Sequence, residues 1–117
     1  MSKQTCLIVD DSRMSRMMLK HIIETAHPDW SFDEATNGQE AIDRVKGSGF
    51  DFVFLDFNMP VMDGGEAAKQ IRPLLPKARI AFLTANVQES TRKLAEDLRI
   101  DFIPKPITED KINRYVN

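Results

Sequence analysis

A chain of 117 residues with 16 Lys and Arg against 18 Asp and Glu, a net charge of -2, has the size of one folded domain over 1–117. It has no bulk positive field to hold nucleic acid or an anionic membrane. At 42% hydrophobic and 29% charged, with 5 Gly and 6 Pro, the composition excludes disordered, collagenous and repeat architectures. One cysteine, Cys6, and two histidines, His21 and His27, exclude an internal disulfide and a Cys/His zinc site, which makes a reducing cytoplasm the expected compartment.

The amino-terminal stretch holds a single lysine, and its apolar run is too short for a signal peptide or a membrane span. Apolar runs then alternate with amphipathic stretches. Strands are expected at residues 6–9, 31–35, 52–55, 80–83 and 101–103, and helices at about 13–26, 38–46, 64–74, 88–98 and 109–116. The runs Cys-Leu-Ile-Val, Phe-Val-Phe-Leu and Ile-Ala-Phe-Leu do not alternate, as suits central parallel strands covered on both faces. Five such βα units with right-handed crossovers make a doubly wound open α/β sheet, and ligands of such sheets bind beyond the carboxyl ends of the strands.

The residues at those ends are Asp10 and Asp11 after the first strand, Asp56 after the third, Thr84 after the fourth, and Lys105 with Pro106 after the fifth. Carboxylates crowded together raise one another's pKa unless a cation relieves them, and an all-oxygen donor set favours Mg²⁺, or Mn²⁺ in its place. A carboxylate beside such a cation can attack phosphorus, with a hydroxyl and a fixed ammonium as electrostatic partners; Asp56, Thr84 and Lys105 supply that set. The Lys105-Pro106 step is a candidate cis peptide.

The whole chain resembles the receiver domains of two-component response regulators, the CheY-like chemotaxis type in particular. The resemblance rests on Leu-Ile-Val-Asp-Asp-Ser, Val-Phe-Leu-Asp-Phe-Asn-Met-Pro-Val-Met-Asp-Gly-Gly, Phe-Leu-Thr-Ala-Asn and Phe-Ile-Pro-Lys-Pro-Ile, with five functional positions separated by 1, 45, 28 and 21 residues. It implies a flavodoxin-like (βα)5 parallel sheet in the order 2-1-3-4-5. It also implies that Asp56 is the phosphoryl acceptor, that Asp11 binds the metal directly and Asp10 through water, and that the backbone carbonyl of Asn58 completes the protein ligands. Thr84 and Lys105 would hold the phosphoryl oxygens, and Phe102 would change rotamer as Thr84 moves, signalling to the fourth helix, fifth strand and fifth helix. Asn58 and Asn86 would set the dephosphorylation rate, giving a lifetime of seconds to minutes. The implied partners are a histidine kinase or phosphotransfer domain and a downstream protein, a phosphatase among the candidates; the chain would act as a monomer or a phosphorylation-linked dimer, in chemotaxis or a phosphorelay, and not as an enzyme on an external substrate.

Taken singly, several of these residues have plainer readings. An Asp pair after a strand is an ordinary helix cap, Thr84 a strand-end cap, Lys105 a surface lysine and Phe102 a packing residue; their joint placement carries the functional reading. Asp63 before Gly64-Gly65 is expected to cap the third helix, Cys6 to be a buried inert thiol, and His21 to be solvated. On the first helix, Ser15, Met18, Leu19, Ile22, Ile23 and Ala26 share the expected core face, while Met14 and Met17, beside Arg13 and Arg16, form a candidate docking patch. Arg99 stands where a left-handed glycine is expected, and Arg92 and Lys93 make the fourth helix more basic than a surface for a flagellar motor switch. The alternative of another class is a haloacid-dehalogenase-like Mg²⁺-dependent phosphatase, disfavoured because Asn58 replaces the second acid of its Asp-x-Asp motif. Phosphate-cradling glycine motifs for nucleotides are absent from the sequence.

Overall fold

Apolar runs bounded by turn residues form strands, and the 3.6-period stretches between them form helices, in strict alternation. In the computed structural model, which describes residues 3–85 and 88–117, the order is β1 (Thr5–Val9), α1 (Arg13–Ala26), β2 (Ser31–Ala35), α2 (Gly38–Gly47), β3 (Phe52–Leu55), α3 (Gly64–Leu74), β4 (Arg79–Thr84), α4 (Glu89–Asp97), β5 (Asp101–Pro104) and α5 (Glu109–Val116). All four strand pairings are parallel and the sheet order is β2-β1-β3-β4-β5. Every strand therefore ends on the same edge.

Because side chains alternate across a strand, each central strand feeds two cores. Leu7, Val9, Val53, Leu55, Ile80 and Phe82 pack on one face with Ala41 and Ile42 of α2, Ala67 and Ile71 of α3 and Ala95 of α4. Cys6, Ile8, Phe52, Phe54, Ala81 and Leu83 pack on the other with Leu19 and Ile23 of α1 and Ile112 and Val116 of α5. Cys6 is fully buried, and burial first, with Asp51 second, pushes its thiol up to about 12. Beneath α1 and α5 an aromatic ladder runs along the sheet: His27 stacks on Trp30 at 3.9 Å, Trp30 on Phe52 at 5.5 Å, and Tyr115 meets Phe54 edge-on at 5.8 Å.

The expected core face of α1 needs correction. Leu19, Ile22 and Ile23 are buried and Ser15 half-buried, but Met18 is 46% exposed and Ala26 is exposed. At about 100° per residue Met18 lies on the margin of the stripe centred on Leu19 and Ile22, and Ala26 is the last residue of the helix. His21 is exposed, as expected.

Polar side chains cap the starts of α1, α2, α3 and α5 on the functional edge. Ser12 Oγ accepts from the Ser15 amide (3.2 Å), Asn37 Oδ1 from Glu40 (2.9 Å), Asp63 Oδ1 from Glu66 (2.8 Å) and Thr108 Oγ1 from Lys111 (3.2 Å). Helix α4 ends with Arg99 at φ 56°, its amide donating to Glu96 O (3.1 Å) while the Ile100 amide donates to Ala95 O (2.7 Å). This is the Schellman pairing, in which glycine is the favoured residue.

Candidate functional site

Strand register brings the acids together. The Asp56 amide donates to Val9 O at 2.9 Å, extending the β1–β3 ladder by one step and laying Asp56 beside Asp10. Asp10, Asp11 and Asp56 each offer a carboxylate oxygen, all within 4.8 Å of one another. Asp10 and Asp56 are 5% and 7% exposed; Asp11 faces solvent.

From the end of β5, Lys105 reaches over this group. Its Nζ donates to Asp10 Oδ2 at 3.1 Å and stands 3.8 Å from Asp56 Oδ1, and its amide donates to Thr84 O at 3.0 Å. Asp10 Oδ1 accepts from the Ser12 amide at 2.9 Å. Thr84, the last residue of β4, is fully buried. The Lys105-Pro106 peptide is cis.

Burial drives the Asp56 carboxyl from its ordinary 3.8 up to about 6, with Asp10 and Asp11 adding like charge, while Lys105 and the Phe57 backbone amide oppose the rise. Among the described residues, three carboxylates facing the Lys105 ammonium leave negative charge in a partly desolvated place. Hard oxygen donors clustered in this way fit a divalent cation of the Mg²⁺ type.

Asn58 is exposed in the loop from β3 to α3; Asn86 lies outside the described residues. Phe102 is half-buried against the α2–α4 core, and the Arg92 guanidinium carbon lies 4.7 Å from its ring centre. Met14 and Met17 are 70% and 58% exposed on the first turns of α1.

Two further residues, outside the set expected from the sequence, shape the site. A Cβ on Gly64 would collide with the Asp56 carbonyl, and the Gly64 amide donates to Phe57 O at 2.8 Å, so α3 starts hard against the loop carrying Asp56. The Gly64-Gly65 pair after Asp63 was a visible signal of such an approach. Arg16 Nη1 donates to Asp10 O at 2.7 Å, a contact across space that no local spacing announces.

Comparison with known proteins accords with this geometry. Residues 6–117 match the family model described as response regulator receiver domain. Chemotaxis protein CheY of Thermotoga maritima is 38% identical over 114 residues, covering 95% of this chain and 92% of that protein. Protein-glutamate methylesterase/protein-glutamine glutaminase 1 of Methanosarcina mazei is 37% identical over 111 residues, 92% of this chain but 31% of its own length. The chain thus spans about a third of such longer relatives. The CheY of the CheX-CheY-BeF3-Mg²⁺ complex from Borrelia burgdorferi superposes with a TM-score of 0.89 at 30% identity, covering 97% of this chain and 86% of that one. These likenesses lend no support to the phosphatase alternative, which is set aside. With the five-stranded parallel order, the acidic cluster and a family match over nearly its whole length, the chain belongs to the response regulator receiver domains, of CheY-like type.

Proposed function

We propose that the chain is a single receiver unit over 1–117 that accepts a phosphoryl group on Asp56 from a histidine kinase or phosphotransfer domain and thereby changes its affinity for a downstream protein. The observation that carries this reading is the convergence of three carboxylates within 4.8 Å under an ammonium 3.8 Å from Asp56. In the transfer, an Asp56 oxygen forms the new P–O bond as the P–N bond of phosphohistidine breaks, and the imidazole leaves with the bonding pair and takes up a proton. Asp10, Asp11 and Asp56, with the Asn58 carbonyl, would hold Mg²⁺ or Mn²⁺, which supplies charge neutralisation for the incoming phosphoryl oxygens. Lys105 is positioned to move from Asp10 toward a phosphoryl oxygen, because its Nζ already lies between the two carboxylates.

Thr84 would donate to another phosphoryl oxygen, and its movement would admit the Phe102 ring, altering the face made by α4, β5 and α5. Asn58 and Asn86, amides without charge, are consistent with a phosphoryl lifetime of seconds to minutes. The Borrelia complex contains CheX together with BeF3 and Mg²⁺; by that likeness a protein partner, a phosphatase among the candidates, is assigned to the loaded state. Met14 and Met17, joined by exposed Met18 on the helix that follows Asp11, are the proposed docking patch for a donor or phosphatase. The setting would be cytoplasmic, in chemotaxis or a phosphorelay, as a monomer or a phosphorylation-linked dimer, without nucleic acid or membrane contact.

Intact mass after incubation with acetyl phosphate and Mg²⁺ tests the core of this reading. One phosphoryl adduct is expected, labile to hydroxylamine and absent from Asp56→Asn; an adduct that survives in the variant, or none in the parent, refutes it.

A further inference from the structure

Arg16 sits on α1 with its side chain only 12% exposed, and two nitrogens of its planar guanidinium are committed. Nη1 donates to Asp10 O at 2.7 Å, and Nε donates to Glu34 Oε1 at 2.8 Å. The first acceptor matters most. The carbonyl of Asp10 belongs to the peptide unit that joins Asp10 to Asp11, and a peptide is planar. Fixing that oxygen fixes the plane from which both acidic side chains depart. On its other side the Asp10 amide is held by Ala35 O at 3.1 Å, so the main chain of the acidic pair is pinned from β2 and from α1 at once.

A cation this close to a divalent-cation site would ordinarily weaken it. Glu34 removes that penalty by pairing with Arg16, and its own place in β2 is secured by Arg44, whose Nε donates to Glu34 O at 2.9 Å. Lysine could not do the same work, because an ammonium is a point donor on a flexible stem rather than a rigid group reaching two acceptors.

We propose that Arg16 is a positioning residue for the divalent-cation site, orienting the Asp10–Asp11 peptide, and that Glu34 serves as the counter-charge that lets it do so without repelling the cation. This rests on the reading of Asp10, Asp11 and Asp56 as cation ligands.

Calorimetric titration of the full chain with MgCl2 tests it, alongside unfolding of the same samples. Arg16→Lys keeps the charge and loses the span, so Mg²⁺ affinity is expected to fall about tenfold, the usual scale for groups that orient metal ligands. Glu34→Gln keeps an acceptor for Nε and leaves the Arg16 charge unbalanced, so its smaller loss of affinity is expected to widen at low ionic strength and close at high salt. A merely structural Arg16 would lower unfolding stability in the lysine variant and leave Mg²⁺ affinity where it was; that result overturns the inference while the cation site stands. Absence of Mg²⁺ binding by the parent overturns both. If Arg16→Lys does not fold, the glutamine variant decides: an affinity equal to the parent's at low and high salt refutes the counter-charge and the positioning role with it.

Discussion

Replacing Asp56 by Asn is expected to make the cation-free protein more stable, not less. The folded protein holds the Asp56 carboxyl at about 6 rather than 3.8, chiefly because the group is buried and faces Asp10 and Asp11. A carboxyl whose pKa is raised by folding binds its proton more tightly in the folded state. Its contribution is therefore favourable relative to the ionised form at low pH, and stability is lost as pH climbs from about 4 to about 6. A shift of about two units is worth about 3 kcal/mol at 1.36 kcal/mol per unit, so at pH 7 the parent carries a penalty of up to that order, the opposing pull of Lys105 already included. Asparagine keeps the shape and removes the charge. In urea unfolding followed by circular dichroism in EDTA, Asp56→Asn is expected to exceed the parent by about 1–3 kcal/mol at pH 7, and by about half a kcal/mol at pH 4. Saturating Mg²⁺ should narrow the gap at pH 7 by stabilising the parent selectively. A variant no more stable than the parent at pH 7 without cation, or a gap that does not shrink on acidification, would refute this account of the cluster.

Gly64→Ala forces a methyl into the Asp56 carbonyl; a loss of about 1–3 kcal/mol, typical of overpacking, is expected in the same unfolding assay, together with slower acetyl phosphate labelling. Arg99→Gly relieves the left-handed strain at φ 56°, and after the entropy glycine costs in the unfolded chain a net gain of about 0.5 kcal/mol should appear as a melting temperature raised by a few degrees. Arg72 is buried and donates to Leu75 O and Ala78 O at 2.7 Å and to Arg99 O at 3.4 Å; Arg72→Met strands those carbonyls, and chemical unfolding should show a loss of about 3 kcal/mol. A neutral result for Arg72→Met would mean that water satisfies the loop without it.

The sheet was legible because its signal is local: three unalternating apolar runs can only be buried on both faces, and each is followed by a residue with chemistry to offer. Asp56 and Lys105 could be named from chain position alone, since parallel strands of equal polarity end together. Met18 departs from the expected core face because the width of a buried stripe is set by what packs over it, here α5, and not by the helix. The role of Arg16 is not legible in the sequence for a related reason. Its acceptors, Asp10 just past β1 and Glu34 in β2, are 6 and 18 residues away, and only the fold brings them within reach. The glycine expected before β5 is instead Arg99 in a left-handed conformation, which the α4 terminus tolerates through its paired hydrogen bonds to Ala95 and Glu96.

The aromatic ladder has an experimental consequence. Trp30 is the sole tryptophan of the chain, and it precedes Ser31, which pairs with Thr5 at the start of β1. The acids follow the other end of that strand, about 16 Å away at the rise of an extended chain. Stacked between His27 and Phe52, the indole is a native optical probe of whether α1 and α5 remain seated, and one insulated by distance from the charge changes at Asp56. Its emission should track unfolding while staying silent to cation loading, so the two equilibria can be read separately in one cuvette without adding a label.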